Sequence, residues 1–86
     1  MSLHPASISV AELAAMHPGI VSAIDWHKLA PSETRRLREF GLDEGVEVEL
    51  LQPSGWLGGP MSLRIGRMTV ALRKHVGDAI HVVQAA

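Results

Sequence analysis

The chain of 86 residues is long enough for one domain and too short for two. Apolar residues make up 47%, enough for a single core, and eight Lys and Arg against nine Asp and Glu leave a net charge of −1. This excludes a strongly basic nucleic-acid binder and an acidic tail protein, and the absence of cysteine excludes disulfides, thiolate zinc sites and a cysteine nucleophile.

The apolar runs fall far short of the ~20 residues that span a bilayer, and the N-terminus shows no secretory pattern. The expected location is therefore the cytoplasm. With no Tyr, one Phe and two Trp, the chain has too few aromatics for a single-strand nucleic-acid platform.

Residues 1–7 read as a loose lead-in to a single domain over 8–86. Ser9-Val10-Ala11-Glu12 follows the capping-box pattern, in which the serine and the glutamate satisfy each other's backbone amides. It predicts a short helical turn through Leu13 to Met16, stopped by His17-Pro18-Gly19. Ile20 to Trp26, rich in β-branched residues, reads as a strand. Ser32 is a good N-cap for a helix over 33–40, and Glu33 suits its positive start. Gly41 is placed to end that helix in the left-handed conformation, and Leu42 to pack back on Leu37.

Three alternating strands follow. Val46, Val48 and Leu50 share one face, then Met61, Leu63 and Ile65, then Met68, Val70 and Leu72. Gly66-Arg67 predicts a type II′ hairpin between the last two strands. Gln52 to Pro60 holds two prolines and three glycines and reads as a long hairpin loop. Arg73 to Ala79 predicts a turn, with a single helical turn around Lys74-His75-Val76, and Ile80 to Val83 a final strand. The sum is a mainly β fold: an SH3-like barrel of about five strands, with a short helix between the first two. An OB-fold would place its helix between the third and fourth strands, where Gly66-Arg67 leaves no room.

The order of these motifs resembles the FeoA family. Arg36-Leu37 through Phe40-Gly41-Leu42 to Gly45 is similar to its "RL-x-x-LG-hydrophobic-x-x-G" signature, with Phe40 in place of the usual leucine. Gly59-Pro60 resembles the Asp-Pro that opens the family's third strand, with glycine for aspartate. Gly66 to Arg73 is similar to its "G-x-x-x-ALR" hairpin, and Ala79-Ile80-His81-Val82 to its "A-x-x-I-x-V" ending, shortened. The resemblance covers residues 8 to 83. It implies a cytoplasmic, SH3-like accessory domain of bacterial ferrous-iron uptake, whose usual partner is the FeoB membrane transporter with its GTPase domain.

No residue pattern points to catalysis. Gly55 to Gly59 lacks the Gly-Lys-Ser/Thr ending of a phosphate loop, Asp43-Glu44 reads as a solvated turn, and nothing marks a nucleophile elbow. The expectation is a non-enzymatic domain without cofactor. Five histidines (His4, His17, His27, His75, His81) are scattered without metal-ligand spacing, so no metal site is expected. His17 and His27, the best remaining pair, flank one strand, too far apart for a shared ion. Arg35, Arg36 and Arg38 lie among Glu33, Glu39, Asp43 and Glu44, a solvated helix face rather than a nucleic-acid surface.

Trp56-Leu57 on a glycine-flanked loop either plugs the barrel end or awaits a partner. Loops border the binding groove of SH3-like barrels, so Trp56, Leu57 and Arg38 are the candidate partner-binding residues. The expected function is to bind and modulate a FeoB-type transporter. The alternatives are a general SH3-like adaptor and a small metal-responsive domain.

Overall fold

The structure, a computed structural model, describes residues 7–13, 15–55 and 59–84. In chain order its elements are β1 (Ile8–Ser9), β2 (Pro18–Ile24), α1 (Pro31–Glu39), β3 (Glu47–Gln52), β4 (Met61–Ile65), β5 (Met68–Leu72), α2 (Lys74–Asp78) and β6 (Ile80–Gln84). Short 3-10 turns cover Val10–Glu12 and Trp26–Lys28. The strands form one antiparallel sheet in the order β1-β6-β2-β3-β4-β5.

Two expectations about architecture change. The described residues form six strands rather than five, because Ile8 and Ser9 pair with Val82 and His81 of β6. The helix consequently follows the second strand rather than the first. The barrel expected from sequence is an open ladder: among the described residues no pairing joins β5 to β1. Period-2 alternation tells which face of a strand is buried but carries no information on which edges meet.

One face of the sheet carries the core. Val21, Val48, Leu50, Met61, Leu63, Ile80 and Val82 are almost fully enclosed, and Leu37 of α1, Leu42 and Val76 of α2 pack against them. Each such aliphatic side chain contributes ~1.5–3 kcal/mol by leaving water. Glu49 alternates to the other face as the pattern requires, yet is only 8% exposed. Arg64, directly opposite on β4, neutralises it in an ion pair, as a buried carboxylate requires.

The ends of α1 show how sequence sets local structure. It starts at Pro31, two residues before the expected start. Pro31 occupies the first helical position, where its missing N–H is not needed. Ser32 therefore falls inside the first turn. Ala30 is the cap residue, and its N–H donates to Glu33 Oε1 at 2.9 Å. The C-terminal end matches expectation. Gly41 has φ +81°, its N–H donates to Arg38 O at 3.0 Å, and the Leu42 N–H donates to Leu37 O at 3.1 Å. These are the two bonds of a Schellman ending.

Other boundaries shift for identifiable reasons. The Ser9 N–H donates to Glu12 Oε1 at 3.1 Å, half of the capping box, but the turn ends at Glu12 and Leu13 is extended and buried. Met16 adopts φ +66° and its N–H donates to Leu50 O at 2.7 Å, so the chain is led straight into the sheet. β2 then begins at Pro18 and stops at Ile24. A proline is tolerated as the first residue of a strand, and Gly19 lets β6 approach closely: a Cβ there would stand 3.2 Å from Val82 Cβ.

The Gly66-Arg67 hairpin pairs Ile65 with Met68, with Gly66 at φ +60°. Met68 lies on the inward face but at the sheet edge, and 42% of it is exposed. The expected turn after Arg73 is the helix α2, whose Val76 and Gly77 are buried.

Candidate functional site

Trp26 leaves the sheet at the end of β2. The Asp25 N–H donates to Ala79 O (2.8 Å), and the Lys28 and Leu29 N–H groups donate back to Asp25 O and Trp26 O (2.9 and 3.1 Å). This fixed turn sets the indole half-buried against the core. From the last turn of α1, the Arg38 guanidinium lies over the indole with Cζ 4.8 Å from the ring centroid. Such a contact is worth ~0.5–1 kcal/mol at an exposed site. The Schellman ending folds the chain back so that Gly41, Leu42 and Asp43 complete an open cleft of about 310 Å³ with Trp26 and Arg38. An aromatic face, a guanidinium and a carboxylate on one cleft are recognition groups for a protein side chain or loop.

The three arginines of α1 do not act as one basic face. Arg36 lies over the Phe40 ring at 5.6 Å and Arg38 over Trp26. Of the sequence candidates, Arg38 is thus placed at the cleft, whereas Trp56 and Leu57 lie outside the described residues. The anchors of their loop are described. Ser54 Oγ donates to Gly59 O across its neck, and it hangs between Gln52 of β3 and Met61 of β4. β2 and β3 pair Pro18 with Glu49 and Ile20 with Glu47. The end of β2 that carries Trp26 therefore lies at the start of β3, and the loop anchors lie at the other end.

Nothing in the sequence marks Trp26 as a site residue: the strand pattern from Ile20 ends on it. Its tie to Arg38 spans two elements and has no fixed spacing. Nor does the sequence mark two histidine partners. His81 Nε2 donates to Asp25 Oδ2 at 2.7 Å, and His75 Nε2 to Glu33 Oε2 at 2.7 Å. The bond from His81 holds the Asp25 carboxyl below its ordinary pKa, aided by the charges of His81 and Lys28. The Ala30 N–H, then the His75 bond, lower that of Glu33. Burial opposes both shifts. His17 and His27 stand beyond opposite ends of β2, and among the described residues no three His, Asp or Glu side chains converge as metal ligands. No helix among the described residues is long and apolar enough to cross a membrane.

A search of curated proteins returned no match. Solved structures are similar over nearly the whole chain. One is an iron uptake regulatory protein, FeoA, at 20% identity, covering 93% of this chain and 99% of the other with a TM-score of 0.76. Another is Stenotrophomonas maltophilia FeoA complexed with zinc, described as a procaryotic SH3-domain protein, at 26% identity, 87% and 88% coverage and a TM-score of 0.72. A manganese-dependent transcriptional repressor matches at 22% identity with a TM-score of 0.81; its match takes in 95% of this chain but only 44% of the repressor. At that identity the likeness is one of fold. The family model of the FeoA domain matches residues 8–84, from the first residue of β1 to the last of β6. The chain belongs to the FeoA family, which is linked to ferrous-iron transport.

Proposed function

We infer that this chain is a non-enzymatic, cytoplasmic accessory domain of ferrous-iron uptake, which docks on the cytoplasmic part of a FeoB-type membrane GTPase and modulates it. The observation that carries this reading is the Arg38 guanidinium stacked on Trp26 at the mouth of an open cleft. Centrally placed Trp and Arg side chains are the residue types that dominate binding energy at protein interfaces. Arg38 is the first contact residue, and Trp56 and Leu57 supply a second contact from their loop. Docking changes transporter activity only through a different affinity for its two states, nucleotide-loaded or empty.

The test is an isotope-edited NMR titration of this chain with the transporter's GTPase domain, with and without nucleotide. Localised shifts at Trp26, Arg38 and Gly41 to Asp43 are expected, with Arg38→Ala weakening binding by about tenfold or more and leaving the fold intact. Unchanged affinity in Arg38→Ala would remove the cleft from the interface. No shifts at any accessible concentration would remove the GTPase domain as partner.

A further inference from the structure

The two edges of the sheet differ. β1 is only two residues long, whereas β5 has five, without proline, bulge or charged residue. Edge strands are normally blunted by such devices, because an open edge pairs with other chains. β4 and β5 pair Ile65 with Met68, Leu63 with Val70 and Met61 with Leu72 across a two-residue turn. In such a hairpin the pair flanking the turn exchanges hydrogen bonds, and every second pair does so after it. Met68, Val70 and Leu72 therefore direct their backbone groups to β4. Thr69 and Ala71 turn theirs outward, and neither makes another backbone bond among the described residues. Both side chains are small and exposed.

The surroundings of this edge have a definite chemistry. Met68 offers exposed apolar surface at one end. At the other end is a cavity of about 90 Å³ lined by Leu37, Leu72 and Val76 together with Ala71, Arg36, Arg73 and Glu33. Arg67 and Arg73 bracket the strand, and neither forms an ion pair among the described residues. Arg64, opposite Thr69, is neutralised by Glu49. Glu33 feels the charge of Arg73 but is hydrogen-bonded by Ala30 and His75. The edge thus combines four outward backbone groups, the exposed Met68, a partly apolar cavity and two cations without an ion pair among the described residues, on a chain whose net charge is −1.

We propose that β5 is a second docking edge, independent of the Trp26–Arg38 cleft, which takes an extended acidic segment of a protein partner as a seventh strand. Backbone bonds to Thr69 and Ala71 supply affinity. Alternate apolar side chains of the segment reach Met68 and the cavity, and its carboxylates reach Arg67 and Arg73. A second copy of the chain fits poorly. In the antiparallel register that pairs Thr69 of each copy with Ala71 of the other, Arg67 stands opposite Arg73 twice, and directly opposed like charges destabilise a sheet.

The probe is a capped seven-residue peptide alternating glutamate and valine, titrated into the isotope-labelled full chain, with a lysine-for-glutamate peptide as control. The acidic peptide is expected to shift the Thr69 and Ala71 amides and slow their hydrogen exchange, and the lysine peptide to bind at least about tenfold more weakly. Thr69→Pro should abolish binding while keeping the sheet, because proline is tolerated where the N–H faces away from the ladder. If that variant fails to fold, Arg67→Glu with Arg73→Glu carries the test by reversing the preference between the two peptides. Shifts confined to other elements, equal affinity for both peptides, or no shift at millimolar peptide would each overturn the proposal. So would protection of Thr69 and Ala71 that rises with protein concentration alone, which would assign the edge to a second copy.

Discussion

Gly77 offers a sharp test of the packing. It lies in α2, a five-residue helix, where alanine would be favoured over glycine by ~1 kcal/mol on propensity alone. The surroundings reverse that sign. A Cβ at Gly77 would stand 2.5 Å from Met61 Cε and 2.7 Å from Met61 Sδ, with Val10 Cγ1 at 3.5 Å. Met61 is flexible, but it is fully enclosed, so its terminal atoms can retreat only into occupied core. Overpacking of this kind costs ~1–3 kcal/mol. Setting this against the propensity gain, Gly77→Ala should destabilise the domain by about 1 kcal/mol. In a domain of this size that lowers the melting temperature by ~4–8 °C.

Urea denaturation and a thermal melt of the two proteins measure the effect directly. Adding Met61→Val removes the colliding atoms. The double variant should therefore be more stable than the sum of the single changes, with a coupling of ~0.5–1.5 kcal/mol. A Gly77→Ala protein as stable as the parent, or more so, with an unmoved Met61 methyl resonance, would refute this account of the α2 contact.

Three further outcomes are expected. Gly41→Ala meets no steric contact but must hold φ +81°, so it should cost ~1–2 kcal/mol by urea denaturation, and Gly41→Asn less. Leu37→Ala removes a side chain that is 1% exposed and should cost ~2–5 kcal/mol by the same measurement. The Asp25 and Glu33 carboxyls titrate below their ordinary values. Their contribution to stability is therefore full above about pH 4 to 5 and lost as pH falls through the lowered native-state values. Asp25→Asn with Glu33→Gln should flatten the acid limb of a plot of urea midpoint against pH, and an unchanged limb would show that these bonds do not set it.

Legibility in the sequence followed the range of the interaction. The Gly41 helix ending was readable because all its parts lie within six residues, Leu37 to Leu42, and glycine alone takes the required φ cheaply. The Gly66-Arg67 hairpin and the buried faces of β3, β4 and β5 were readable for the same reason. The start of α1 was misplaced because Ser32 offered a good local cap, while Pro31 and the Ala30–Glu33 bond set the true start. The candidate cleft was half readable: Arg38 stood out as a charge on a loop-bordering helix, but the indole beneath it did not.

Periodicity, turn glycines and motif order by themselves determined a mainly β domain, its helix ending, its tight hairpin and its resemblance to the FeoA family. These rest on backbone sterics and on alternation within one element, and both are written in neighbouring residues. Only the tertiary structure decided that Ile8-Ser9 joins β6, that no pairing among the described residues joins β1 to β5, and that Arg38 covers Trp26. It also decided that His81 meets Asp25 across 56 positions of chain. Contacts of that separation depend on how sheet twist and core volume bring distant elements together, and no spacing in the sequence records them.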